Sequence, residues 1–132
     1  MKIFLSYLAT LIPLTILDAI WLVSTSKSFY AKHLGFLFSK TFNFIPVVFF
    51  YPLYALAVLF LAVLPAVASE SAVGALWRGA LLGLAAYGAY DLSNHATIAG
   101  WPVIITVVDI IWGMAVTALT SLLAYWIINA FK

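Results

Sequence analysis

The chain lacks cysteine and carries little charge. None of its 132 residues is cysteine, which excludes disulfide bonds, thiolate metal sites and a cysteine nucleophile. Only 8% of the residues are charged, against about 25% in a typical soluble domain. Six basic and four acidic residues leave a net charge of +2, which is too small for a nucleic-acid binder. We therefore expect no nucleic-acid partner.

Apolar and aromatic side chains take the place of the missing charge. Hydrophobic residues make up 67% of the chain, compared with about 45–50% in soluble domains. Phe, Trp and Tyr together contribute 17%, and Trp and Tyr favour membrane interfaces or aromatic-lined cavities. The composition predicts a multi-pass protein of the cell membrane.

Four apolar runs are long enough to cross a bilayer, which takes about 20 residues in a helix. They cover about 3–23, 44–67, 76–98 and 102–128. No A-x-A cleavage pattern follows the first run, so we expect it to be retained rather than removed as a signal peptide. The runs leave no room for a soluble module. Residues 1–132 are therefore predicted to form a single all-α transmembrane domain, an up-down-up-down four-helix bundle.

The segment 24–43, between the first two runs, has a different composition. It mixes Lys27, Lys32 and Lys40 with aromatic and aliphatic residues. This mixture predicts a short amphipathic helix lying at the level of the lipid headgroups, with its lysines reaching toward water. The lysines and arginines are balanced between the two sides of the predicted bundle, so the positive-inside rule does not fix the orientation.

Three of the four acidic residues lie inside the apolar runs, namely Asp18, Asp91 and Asp109. A charged side chain at the centre of a membrane helix costs about 2.5–3.5 kcal/mol, so such residues usually mark function. In the predicted bundle each carboxyl lies about 10 Å inside the same membrane surface, at 1.5 Å per residue. No lysine or arginine is expected at that depth. The three carboxylates cannot all stay ionised together, so protons or a positive ligand must complete the site.

Aromatic and polar residues at similar depth fall on the same predicted helix faces. They indicate a pocket that opens to one leaflet. Its predicted ligand-binding residues are Asp18, Trp21, Tyr51, Tyr54, Tyr87, Tyr90, Asp91, Asn94, Asp109 and Trp112. Gly79 and Gly83 form a small-xxx-small pattern that favours close helix packing, and this face is also a candidate contact in a homodimer.

No cofactor is required by the sequence, but an oxygen-ligated divalent cation is one hypothesis. The candidate ligands are Asp91, Asp109, Asn94 and His95. This oxygen-rich set suits Mg²⁺, Ca²⁺ or Mn²⁺ better than Zn²⁺. A structural hydrogen bond is the simpler interpretation of His95.

Two of the aspartates begin matching patterns, Asp18-Ala-Ile-Trp21 and Asp109-Ile-Ile-Trp112. Together with Tyr51-x-x-Tyr54, the run 90–94 and Gly-Trp-Pro at 100–102, they resemble the DUF2177 family of bacterial predicted membrane proteins. The likeness extends from the first helix through Leu119. It implies a four-helix protein of the bacterial inner membrane and no assigned activity. The sequence departs from the family pattern at Ser93 and His95, which weakens the case for His95 as a ligand.

Three functions remain open at this point. The first is binding or transport, in which the pocket takes a proton, a metal cation or a small cationic amphiphile. Four helices leave little room for a transport path, so transport would require a homodimer. The second is a membrane-embedded enzyme or accessory protein of lipid or fatty-acid modification, with one aspartate as general acid and another as base. The third is a structural or regulatory subunit without a ligand. Membrane lipids are expected partners in all three, and whether the chain is an enzyme stays undecided.

Overall fold

The computed structural model describes residues 2–132, and the regular structure in that range is helical. The α-helices are α1 (Lys2–Thr25), α2 (Ala31–Leu34), α3 (Ile45–Val58), α4 (Leu64–Ala68), α5 (Ala72–Thr97) and α6 (Val103–Ala130). Wider π-helical turns at Ser26–Tyr30 and Leu59–Val63 join α1 to α2 and α3 to α4. A 3-10 turn at Gly35–Leu37 follows α2.

Four continuous helical stretches in this range are long and apolar enough to cross a membrane. They are Lys2–Leu37, Ile45–Ala68, Ala72–Thr97 and Val103–Ala130. The prediction of an all-α membrane protein with four spanning helices is confirmed. Large apolar side chains such as Phe49, Leu53 and Val73 are about 70% exposed, as expected where lipid rather than water surrounds the bundle.

The third span begins four residues before its predicted start at 76. Ser71 stands at the N-cap of α5, and its hydroxyl accepts a hydrogen bond from the backbone N–H of Gly74 at 2.8 Å. Such a cap satisfies a donor that would otherwise be unpaired at the helix start. At the other end of α5, Gly100 adopts a φ of 76° in the turn to α6, a conformation that glycine adopts without strain.

Helices α5 and α6 pack closely because small residues line their contact. A Cβ atom placed on Gly79 would lie only 2.6 Å from the Thr117 carbonyl oxygen, and one on Gly83 would overlap the Gly113 carbonyl. Both glycines are buried. The small-xxx-small pattern therefore packs α5 on α6 within the chain, so this face is not free to contact a second copy.

The segment after α1 continues the helix rather than forming a separate one. It folds toward the turn between α5 and α6, where Leu34 packs with Trp101 and Ile105, and where Tyr30 and Ile98 complete the cluster. Helical structure ends at Leu37, before the predicted segment end at 43. The segment therefore covers the end of the bundle at which α5 ends and α6 begins.

Candidate intramembrane carboxyl site

Asp18 connects three helices. Its carboxyl, on α1, is only 6% exposed. One oxygen accepts a hydrogen bond from the Tyr51 hydroxyl on α3, and the other accepts from the Trp112 indole N–H on α6 at 2.9 Å. Buried polar atoms need hydrogen-bond partners, and these two bonds satisfy both oxygens. Asp18 thus has a donor for each oxygen and stabilises the packing of α1 against both neighbours.

Asp109, on α6, is connected to the covering segment. Its Oδ1 accepts a hydrogen bond from the Tyr30 hydroxyl at 2.7 Å. The Tyr30 oxygen in turn accepts from the Trp21 indole N–H at 3.1 Å. A chain of donors therefore runs from Trp21 on α1, through Tyr30, to the Asp109 carboxyl.

The two Asp-x-x-Trp patterns exchange their tryptophans. Trp112, one helical turn after Asp109, donates a hydrogen bond to Asp18. Trp21, one turn after Asp18, donates to the Tyr30 hydroxyl, which in turn donates to Asp109. The two indoles stack between these carboxyls, with ring centroids 4.5 Å apart and planes 7° from parallel. The repeated pattern thus builds one interlocked contact between α1 and α6.

Asp91, on α5, has a different environment. Its side chain is fully buried, and within residues 2–132 neither carboxyl oxygen has a hydrogen-bond partner. The charged neighbour that acts on it is Asp109. Two ionised carboxylates offer only acceptors to each other, so they cannot form a hydrogen bond unless one of them carries a proton.

Arg78 of α5 is too far from Asp91 to neutralise it. Arg78 lies thirteen residues earlier on this helix, which is about 20 Å along the helix axis. Its guanidinium stacks over the Trp77 ring at 4.7 Å from the centroid. The Asp91 carboxyl therefore lies in the bundle interior beside a second carboxyl, without a lysine or arginine from its own helix. His95, one turn later on α5, has its Nδ1 3.2 Å from the Thr106 hydroxyl.

The other predicted pocket residues differ in which of the three aspartates they lie near. Tyr54 is buried and its hydroxyl lies 2.7 Å from that of Thr117. Tyr87 packs against Gly113, and its ring lies 6.3 Å from that of Tyr54. Both tyrosines are on the Asp18 side of the site.

Tyr90 and Asn94 lie at the periphery. Tyr90 is 60% exposed and meets the edge of Trp101 at 6.2 Å between centroids. Asn94, one turn further along α5, is half-buried. A 100° step between successive helical residues separates Tyr90 from Asp91, so the two side chains leave α5 on different faces.

The hypothesis of a divalent cation finds no assembled ligand set. His95 is exposed, and its Nδ1 lies 3.2 Å from the Thr106 hydroxyl, which also accepts from the Trp101 indole at 3.1 Å. Over residues 2–132, no three His, Cys, Asp or Glu side chains come together in a way that could hold a metal ion. A site formed by Asp91, Asp109, Asn94 and His95 stays a prediction.

Tyr30 belongs to the site but was not among the predicted ligand-binding residues. The amphipathic pattern of segment 24–43 predicts a cap over the pocket but does not say which of its side chains enters. The Tyr30 contact with Asp109 spans 79 residues, so it depends on how the segment folds back. The available signal was a hydroxyl-bearing aromatic residue between apolar neighbours in an otherwise lysine-rich segment.

The model of the DUF2177 family, described as a predicted membrane protein, matches residues 3–126. The matched range includes all the residues of the carboxyl site. No curated protein and no solved structure matches the chain.

Proposed function

Because the chain belongs to the DUF2177 family of predicted membrane proteins, whose description names no activity, we propose a function from the site itself. The chain binds a proton at the Asp91–Asp109 carboxyl pair inside the membrane and exchanges it with one membrane surface. The observation that carries this proposal is the fully buried Asp91 carboxyl, which lies beside a second carboxyl and whose oxygens have no hydrogen-bond partner among residues 2–132.

A bound proton resolves the energetic problem of this pair. An isolated ionised carboxylate in an apolar interior is very costly, and a group in that position gives up its charge instead. One proton on the pair removes the repulsion between two negative charges and supplies the missing O–H donor. Asp109 also accepts a hydrogen bond from the Tyr30 hydroxyl at 2.7 Å, so it has a donor from outside the pair.

Asp109 is the member of the pair that faces the exit. It is partly exposed, whereas Asp91 is fully buried. Tyr30, which binds Asp109, belongs to the segment that covers this end of the bundle. A proton that leaves Asp91 would therefore pass to Asp109 first, and the position of Tyr30 would control its access to the surface.

A proton suits this site better than a cationic amphiphile. Asp18 already uses both oxygens for Tyr51 and Trp112, and the stacked Trp21 and Trp112 rings fill the space beside it. A bulky cation would have to displace these donors and separate the rings. A proton needs no additional volume.

The test is infrared spectroscopy of the purified protein in lipid vesicles transferred from H₂O to D₂O. A protonated carboxyl gives a carbonyl band that shifts on deuteration, and we expect this band to shift in the native protein. It should disappear in Asp91→Asn and remain in Glu70→Gln, a matched carboxyl-to-amide change in the exposed turn before α5. The proposal is wrong if the native protein lacks the band or if Asp91→Asn retains it unchanged.

Exchange through Tyr30 has its own readout. Tyr30→Phe removes the hydroxyl that binds Asp109, so the deuteration shift should occur at a changed rate while the band itself remains. An unchanged rate would exclude Tyr30 from the exchange path.

A further inference from the structure

A groove lies at the opposite end of the bundle from the carboxyl site. It runs between the start of α1, the end of α6 and α4, and has a volume of about 550 Å³. This size falls within the range of about 300–1,000 Å³ that small-molecule sites occupy. Its walls are mainly aliphatic, including Leu5, Ile12 and Leu64, but Lys2 and Lys132 also line it.

The groove is about as long as half the thickness of the hydrocarbon core of a bilayer. Along α1 its lining extends from Lys2 to Pro13, which is about 16 Å at 1.5 Å per residue. Half of a hydrocarbon core of about 30 Å is about 15 Å. The groove therefore extends from the headgroup level, where both lysines lie at helix ends, to about the middle of the bilayer.

We propose that this groove binds one acyl chain of an anionic phospholipid, whose phosphate is held by Lys2 and Lys132. The positive charge of the two lysines at the mouth of the groove favours a ligand with an anionic headgroup. Two of the six basic residues of the chain line this one groove, whereas Asp18, Asp91 and Asp109 lie toward the other surface. Each lysine near an anionic membrane surface contributes about 1 kcal/mol of attraction.

A second copy of the chain is a poorer occupant. Two copies related by a twofold axis would present the same surface to each other, and the lysine pair of each groove would then face like charges. A phospholipid brings the opposite charge and an apolar chain in one molecule. The inference does not depend on the carboxyl site, so either proposal can fail without the other.

The first test measures lipid binding by native mass spectrometry of the protein in detergent, titrated with phosphatidylglycerol or phosphatidylcholine. Native protein should retain phosphatidylglycerol more strongly. Changing both lysines to glutamine (K2Q, K132Q) should weaken that binding by about fivefold for each lysine, the factor that corresponds to about 1 kcal/mol per basic residue near an anionic surface. The matched control changes Lys27 and Lys40, which are exposed toward the other surface, and should leave binding unchanged.

The second test blocks the space for the acyl chain. Ile12 lines the groove, while Ile16, one turn later on α1, does not. Their side chains are 52% and 53% exposed, so either position should accept a larger residue without loss of fold. Ile12→Trp should reduce phosphatidylglycerol binding severalfold, whereas Ile16→Trp should not.

Three results would overturn the proposal. Equal binding of the two phospholipids with no effect of the lysine changes would show that charge does not select the ligand. Displacement of phosphatidylglycerol by an equimolar free fatty acid would make the fatty acid the occupant. A change in the monomer–dimer ratio of Ile12→Trp, with lipid binding intact, would assign the groove to a second copy. Unchanged helical circular dichroism and thermal unfolding serve to confirm that each variant is folded.

Discussion

Asp18 and Asp91 are both buried aspartates toward the same end of the bundle, but their surroundings differ. Asp18 has a donor for each oxygen, supplied by α3 and α6. Asp91 has no hydrogen-bond partner within the described residues and has Asp109 as its charged neighbour. A partnered buried carboxyl stabilises a fold, whereas an unpartnered one weakens it. The comparison separates a structural aspartate from one that stability alone does not explain.

The largest expected effect is the loss of Asp18. Leucine has the same branching as aspartate but accepts no hydrogen bond, so Asp18→Leu leaves the Tyr51 hydroxyl and the Trp112 indole without an acceptor. We expect a loss of about 3 kcal/mol in the free energy of unfolding, since each such donor costs about 1–3 kcal/mol. Unfolding in mixed micelles with increasing denaturing detergent measures it. Asp18→Asn keeps one acceptor oxygen and should lose about half as much; no loss in either variant would contradict the structural role.

Trp112→Phe tests the structural role of Asp18 by removing only one of its two hydrogen bonds. It removes the 2.9 Å hydrogen bond to Asp18 and keeps an aromatic ring against Trp21. We expect a loss of about 1.5 kcal/mol in the free energy of unfolding, the upper end of what one hydrogen bond usually contributes. Trp126→Phe, at a side chain that is 54% exposed, is the control and should change little in the same micelle assay. Equal effects of the two substitutions would mean that ring volume rather than the hydrogen bond matters.

Tyr30→Phe tests the cover over Asp109. The change removes the 2.7 Å bond to Asp109 and the acceptor of the Trp21 indole. We expect a loss of about 1 kcal/mol in the free energy of unfolding, as for a typical net hydrogen bond, together with faster limited proteolysis after Lys27 or Lys32 as the segment loosens. Tyr125→Phe, near the other end of α6, is the control. Unchanged proteolysis would argue that Tyr30 does not hold the segment in place.

Asp91→Leu should not lower the free energy of unfolding, in contrast to Asp18→Leu. Leucine removes the desolvation cost of the buried carboxyl, and this offsets the loss of the proton-mediated hydrogen bond to Asp109, which keeps its Tyr30 donor. The slightly larger side chain uses part of the remaining gain. We expect the free energy of unfolding to be unchanged or higher by up to about 1 kcal/mol. Glu70→Gln, in the exposed turn, should stay within about 0.5 kcal/mol of the native protein. A loss as large as that of Asp18→Leu would remove the distinction between the two aspartates.

The spanning helices and the depth of the acidic residues could be predicted from the sequence because both depend on local properties. Apolar runs of sufficient length define the spans, and a rise of 1.5 Å per residue converts position into depth. The predicted start of α5 is four residues too late, because the span was placed by hydropathy and the N-cap at Ser71 was not considered.

The partners of the carboxyl groups could not be predicted. The Asp18 bond to Trp112 spans 94 residues, and the Tyr30 bond to Asp109 spans 79. Both depend on how α1 and the segment that follows it pack against α6, which no local pattern of the sequence specifies. A single stripe on α5 was expected to hold both Tyr90 and Asp91, yet the first is 60% exposed and the second is fully buried.

The central claim is that the Asp91–Asp109 pair holds a proton and that this proton depends on Asp91. The most direct measurement compares the infrared carbonyl band of protonated carboxyl groups in the native protein, Asp18→Leu and Asp91→Leu, in vesicles at neutral pH. The band should be present in the native protein, remain in Asp18→Leu and be lost in Asp91→Leu. A band that is lost in Asp18→Leu and kept in Asp91→Leu would contradict the claim.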